Sequence, residues 1–144
     1  MSAYCTKQDL VARIGAALLL ELSDLDGTGE IDDARVARAI EAASAEIDTY
    51  AQDRYGSPLD PVPPIVRTHT TDIAVYLLMV ARGYDQALAD GIWAQRYKRI
   101  MEWARDLSRG NATPGTPLPP EQSTLPAFVS TPERVFNRET LKGF

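Results

Sequence analysis

The stretch Asp33-Ala34-Arg35-Val36-Ala37-Arg38-Ala39-Ile40-Glu41-Ala42-Ala43-Ser44-Ala45-Glu46-Ile47-Asp48-Thr49-Tyr50-Ala51-Gln52-Asp53-Arg54 decides the fold. Val36, Ile40, Ala43, Ile47, Tyr50 and Arg54 follow one another at spacings of four, three, four, three and four, which puts them on a single face of an α-helix. Alanines fill much of the remainder, so helix propensity is high and another helix can approach closely. Asp32 or Asp33 can cap the first turn, where a carboxylate also meets the positive end of the dipole. At ~1.5 Å per residue this helix is roughly 33 Å long.

Upstream, Ser23-Asp24-Leu25-Asp26-Gly27-Thr28-Gly29-Glu30 reads as a polar turn. Before it, Thr6 is suited to cap a first helix with Asp9 completing a capping box. Leu10, Ile14 and the Leu18–Leu20 run follow, and Gly15 divides this segment into a first helix and a short second one. Downstream, Tyr55-Gly56-Ser57-Pro58-Leu59-Asp60-Pro61-Val62-Pro63-Pro64 cannot be helical, because each proline lacks a donor and restricts its predecessor. Pro63 or Pro64 can instead open the next helix, with Ile65, Ile73, Tyr76, Leu77 and Val80 as its expected buried stripe and Gly83 as its stop. A last helix is expected from about Asp85 to Arg109, with Trp93, Tyr97, Ile100, Ala104 and Leu107 on one face and Gly110 beyond its end. The expected fold is therefore all-α: a compact bundle of about four helices over residues 1–110, followed by an extended, proline-rich docking tail over 111–144.

Length and composition agree with one such domain: 144 residues, 44% hydrophobic, with a formal net charge of −5. The longest apolar run, Ile73 to Ala81, is too short to span a bilayer, and the opening residues lack the layout of a signal peptide, so a cytoplasmic product with no membrane association is expected. Cys5 is the one cysteine, which leaves no internal disulfide and no thiolate metal cluster. An acidic chain is a poor candidate for dedicated phosphate binding. The charge is uneven, however. Residues 1–33 carry seven carboxylates against Lys7 and Arg13, whereas 85–109 carry five bases against four acids. That asymmetry suits a subunit whose acidic end meets a basic neighbour, and it equally suits ordinary solvated faces.

After Gly110 the composition changes. Six of the ten prolines lie in 110–144, yet Leu125, Phe128, Val129, Val135, Phe136, Leu141 and Phe144 are apolar. Burying so few side chains cannot offset the entropy of ordering the segment that carries them. Such a tail orders only against a partner that adds contacts and backbone hydrogen bonds.

Asp24-Leu25-Asp26-Gly27-Thr28-Gly29-Glu30-Ile31-Asp32 resembles the first nine positions of an EF-hand loop, with Asp24, Asp26, Thr28 and Asp32 as weak candidate ligands. Position 12, where a bidentate Glu belongs, is Arg35, and a cation there opposes calcium. Capped acidic residues in a tight helix–helix turn are the better reading, with a calcium-binding module kept as an alternative. His69 stands alone, so neither a triad nor a His-based metal site can be assembled around it. It is expected as a surface or packing residue on its helix. Cys5, expected in a flexible N-terminal stretch, is a poor nucleophile. No phosphate loop is present. No catalytic residue and no cofactor are therefore expected. A small DNA-binding regulator is a further alternative, although carboxylates outnumber Arg35, Arg38 and Arg54 on the best periodic helix.

Several blocks, in order, also resemble a known family. Tyr4-Cys5-Thr6, Asp9-Leu10, Leu22 to Asp32, Ala43 to Tyr50, Arg54-Tyr55, Pro58 to Pro64 and the ending Arg134-Val135-Phe136-Asn137-Arg138-Glu139-Thr140-Leu141-Lys142-Gly143-Phe144 are similar to Mu-like phage head–tail connector (adaptor) proteins. The resemblance covers nearly the whole chain, with residues 110–130 the least distinctive. It implies a helical adaptor in the virion neck that binds the portal protein as a ring, commonly of twelve copies. Such a ring presents a surface to the stopper or tail-completion protein while DNA passes through its centre. Phe128, Val135, Phe136, Leu141 and Phe144 are the expected anchors of the tail on the portal or on an adjacent subunit. Arg96, Lys98, Arg99, Arg105 and Arg109 are expected to face either the channel or an acidic neighbour.

Overall fold

A computed structural model describes residues 3–83 and 91–115, and these build a bundle of five α-helices. They are α1 (Lys7–Ile14), α2 (Ala16–Ser23), α3 (Asp33–Tyr55), α4 (Pro64–Ala81) and α5 (Ile92–Arg109). No strand occurs among the described residues.

Each boundary has a local cause. Thr6 caps α1 in the expected capping box: its hydroxyl oxygen accepts from the Asp9 amide, and the Asp9 carboxylate accepts from the Thr6 amide at 2.8 Å. Gly15, at φ +84°, breaks the chain between α1 and α2 where a residue with a side chain would be strained. Asp32 caps α3 by accepting from the amides of Ala34 and Arg35, both at 3.0 Å. The proline-rich connection from Gly56 to Pro63 contains two cis X-Pro bonds, Ser57–Pro58 and Asp60–Pro61. Pro64 then opens α4 at a position that needs no amide donor.

The antiparallel pair α3 and α4 is the spine. On α3 the expected stripe is buried from Val36 through Ile40 and Ala43 to Ile47, with Ala39, Ser44 and Ala51 beside it. On α4 the expected stripe is partly right: Ile73 is buried and Tyr76 and Leu77 are half-buried, but its two ends are not. Ile65 and Val80 are 40% and 54% exposed, and Val66, Thr70, Ile73, Ala74 and Leu78 face the core. At ~100° per residue the true face is rotated by roughly a quarter of a turn from the expected one. Threonines account for the difference. The hydroxyls of Thr70 and Thr71 donate to the carbonyls of Val66 and Arg67, each at 2.8 Å, so both side chains enter the core with their polar atoms satisfied.

α5 packs on α3 and α4, whereas α1 and α2 pack on each other and on α3 and α4. The bundle thus has an α1–α2 side and an α5 side. The helix expected from about Asp85 begins at Ile92 instead, because Gly91 is extended (φ −69°, ψ 166°) and caps it; residues 84–90 lie outside the described part. Ile100, Ala104 and Leu107 are buried as the spacing predicts, and Trp93 and Tyr97 are half-buried. Gly110 closes α5 in the left-handed region (φ +80°). The chain then turns toward the end of α3. Tyr55 donates to the Ala112 carbonyl at 3.4 Å, Arg54 lies against Gly110, and Pro114 is fully buried.

The N-terminal segment is not the flexible stretch expected from its sequence. Tyr4 and Cys5 are both buried. The Tyr4 amide donates to the Ser44 hydroxyl at 3.1 Å, its own hydroxyl donates to Asp48, and that hydroxyl oxygen accepts from the Leu59 amide at 2.9 Å. One side chain therefore ties the start of the chain to α3 and to the proline-rich connection.

Candidate functional site

The acidic turn between α2 and α3 is held together by its own side chains. Asp24 accepts from the amides of Thr28 (2.8 Å) and Gly29 (2.7 Å), and from the Thr28 hydroxyl at 3.2 Å. These donors, the Gly29 amide first, hold its carboxyl below the usual carboxylate range. The helix-start amides, that of Arg35 foremost, do the same for Asp32. The Arg35 guanidinium lies inside the turn: Nε donates to Asp32 at 3.0 Å and a terminal nitrogen stands 3.9 Å from Asp26. The position that would supply a bidentate carboxylate to calcium thus carries the turn's own cation. Among the described residues, no group of three or more His, Cys, Asp or Glu is placed to hold a metal ion. Two further ties were not legible in the sequence. The Ser23 hydroxyl accepts from the Asp32 amide at 3.3 Å, and Arg82, at the end of α4, donates to the Asp24 carbonyl at 3.1 Å.

Another carboxylate is buried on α4. Asp72, 7% exposed, receives a bidentate grip from Arg13 of α1, at 2.7 Å from Nε and 2.9 Å from a terminal nitrogen. Arg13 is 38% exposed, so the pair spans the border between core and solvent. Neither residue carried any signal of pairing in the sequence, because 59 positions separate them.

Cys5 is a buried thiol raised to about 11, chiefly by desolvation, which removes it as a nucleophile for a structural reason. His69 packs edge-on against Trp103 at 4.7 Å between ring centroids, and burial lowers its pKa. It is the packing residue allowed for from the sequence.

The five expected basic residues of α5 fall into two groups. Lys98, Arg105 and Arg109 follow one another at seven and four residues, on the outer stripe that Glu102 interrupts, and all three are exposed. Arg99 and Arg96 lie on the adjoining edge, where Arg96 covers the Trp93 ring at 4.7 Å. None of the five forms an ion pair among the described residues. Beneath them, Tyr97 stacks on Tyr76 at 4.4 Å between centroids and donates to Glu46 at 3.3 Å; burial raises the Glu46 carboxyl above its ordinary value. Within α5 itself, five bases face two acids, Glu102 and Asp106.

Asp24, Asp26, Glu30 and Asp33 lie around the α2–α3 turn, where Lys7 pairs with Asp33 and Arg35 with Asp26 and Asp32. The exposed bases Lys98, Arg99, Arg105 and Arg109 lie on α5, which packs on α3 and α4, and Arg38, Arg67 and Arg82 are exposed elsewhere. The expected tail anchors Phe128, Val135, Phe136, Leu141 and Phe144 fall outside the described residues. No described helix is long and apolar enough to cross a membrane.

Comparison with known proteins places relatives along the same span. The model of the family described as "Bacteriophage Mu, Gp36" matches residues 4–129. The chain is 30% identical over 146 residues to the Mu-like prophage FluMu protein gp36 of Haemophilus influenzae (strain ATCC 51907 / DSM 11121 / KW20 / Rd), covering 100% of this chain and 99% of that protein. It is 31% identical over 146 residues to gene product J of Escherichia phage Mu, covering 98% of each.

Proposed function

Given that the chain belongs to the bacteriophage Mu Gp36 family, we propose that it is a head–tail connector, a non-enzymatic virion structural protein. It forms a ring beneath the portal protein, around the DNA channel, and links the portal to the stopper or tail-completion protein at the virion neck. The observation that carries this reading is the bipolar body. A subunit that joins copies of itself head to tail needs two different, complementary patches, and a closed ring results when the rotation closes. Here the carboxylate-bearing α2–α3 turn and the basic outer stripe of α5 are carried by different elements, each joined to the α3–α4 pair. Opposed patches of this kind steer association and fix register more than they add affinity. The family resemblance supplies the setting: an adaptor read from several blocks in order along the chain.

In this reading Lys98, Arg105 and Arg109 meet the neighbour's turn, and the Arg96–Arg99 edge is left for the channel. The test is charge exchange. The triple variant Lys98→Glu, Arg105→Glu, Arg109→Glu should leave helical circular dichroism intact and leave heads and tails unjoined in an infection complemented by the variant. Adding Asp26→Lys and Glu30→Lys should restore joining. A triple variant that still joins heads to tails contradicts the bipolar ring.

A further inference from the structure

The bundle carries one feature that neither charged side uses. At the end of the spine near the acidic turn, Leu22 and Leu25, Ala39 and Ala42, and Leu77 and Ala81 line an apolar groove of about 480 Å³. That lies within the ~300–1,000 Å³ range of sites that bury a small ligand or a few side chains. The alanines of α3 make it deep, since nothing larger fills the space between α2 and α4. Arg35 and Arg38 stand on its rim. Arg35 is engaged with Asp32 and Asp26, whereas Arg38 is exposed and pairs with no carboxylate among the described residues.

We infer that this groove receives the Leu125–Val129 segment of the same kind of chain. Three observations select that occupant. The first is charge. Residues 116–133 hold Glu121 and Glu133 and no base, while 134–144 hold Arg134, Arg138 and Lys142 against Glu139. Arg38, unpaired among the described residues on the rim, suits the apolar cluster of the acidic half, Leu125, Phe128 and Val129. The second is reach. The described chain ends at Gly115, three residues after Ala112, whose carbonyl accepts from Tyr55, and the groove lies some twelve to sixteen residues back along α3 from there, roughly 18–24 Å at ~1.5 Å per residue. The ten residues from 116 to 125 extend to about 33 Å. The third is chemistry. A segment punctuated by Pro126 and Pro132 cannot continue a helix or pair fully in a sheet, so its side chains must do the binding.

This inference rests on the connector reading for its purpose, since a tail held by Leu125–Val129 on its own body leaves Val135, Phe136, Leu141 and Phe144 available to the portal. Its test does not depend on that reading. In the full-length protein, Phe128 is replaced by the photo-reactive p-benzoylphenylalanine, the sample is irradiated, and adducts are mapped by peptide mass spectrometry. Adducts on the α2, α3 and α4 residues of the groove are expected, within one chain or between two. Ala42→Trp, at an exposed position that fills the groove without touching the core, should lower their yield about tenfold with circular dichroism unchanged. Arg38→Glu should lower it by a smaller factor. Adducts elsewhere, no adducts, or a yield indifferent to Ala42→Trp overturn the inference. Groove adducts from a chain absent from virions would reject the connector reading and leave the groove assignment standing.

Discussion

Two polar regions of this bundle invite comparison: the exposed acidic turn from Asp24 to Asp33, and the buried ties made by Tyr4, Arg13 and Asp72. The turn is rich in motif and poor in consequence for the core. Its carboxylates accept from amides within five residues, and its charges face water, where each pair contributes little. The buried ties have no motif at all. Tyr4 reaches Asp48 and Leu59 across 44 and 55 positions, and Arg13 reaches Asp72 across 59. Tyr4 and Asp72 are removed from water, so losing a partner leaves a buried polar group stranded. Conspicuous acidity therefore marks a surface, and the inconspicuous pairs set the fold.

Breaking the buried pair should have the largest effect. Arg13→Ala is expected to cost about 3 kcal/mol in urea unfolding, the low end of the ~3–5 kcal/mol for stranding a buried charge, because Arg13 is itself partly in water. Asp72→Asn in the same background should recover part of the loss, since it removes the unpaired charge. If Arg13→Ala costs no more than a surface substitution, the comparison fails. Next comes Tyr4→Phe, which keeps the ring and removes the hydroxyl. About 2 kcal/mol is expected, because the Leu59 amide and Asp48 both lose their partner. The hydroxyl itself is pushed up to about 12, by burial first and by Asp48 second, so it stays protonated throughout the usable pH range.

The turn should respond least and by a different signature. Asp32→Ala is expected to lower the urea midpoint less than either of these, as the loss of a helix cap. Acid sharpens the contrast further. Asp24 and Asp32 both have carboxyls held below their ordinary value in the folded chain. Their contribution is complete above the unfolded carboxylate pKa of ~4 and disappears as pH falls through the lowered folded value. Protection of the Thr28 and Gly29 amides, relative to the intrinsic exchange rate at each pH, should therefore fall below about pH 4, before the core amides of α3 respond. Simultaneous loss of both regions would show that the turn and the spine are one cooperative unit.

How far the sequence could be read follows the same division. α3 was legible because five apolar or aromatic positions repeat at helical spacing and one aspartate caps the start. The caps at Thr6 and Asp32 and the break at Gly15 were legible because each acts within a few residues. The buried face of α4 was legible only in part, at Ile73 and, half-buried, at Leu77. Counting large apolar residues chose Ile65 and Val80, whereas the core takes Thr70, Thr71 and Ala74, whose hydroxyls bond within the helix or whose small size suits close packing. Cys5 looked like a terminal residue in a loose strand and is buried because Tyr4 pins the segment to α3. The basic residues of α5 were visible one by one. That they form two edges required the packing of α5 on α3 and α4, which fixes its buried face. The groove could not be foreseen, since its walls come from three helices and its depth from alanines that carry no chemical signal.

The most direct measurement is the number of copies of this chain in purified virions, determined by quantitative peptide mass spectrometry against the portal and major capsid proteins. A connector ring predicts a copy number equal to that of the portal ring, unchanged between particles with and without DNA. Absence from virions, or a copy number that follows the major capsid protein, would contradict a role at the neck.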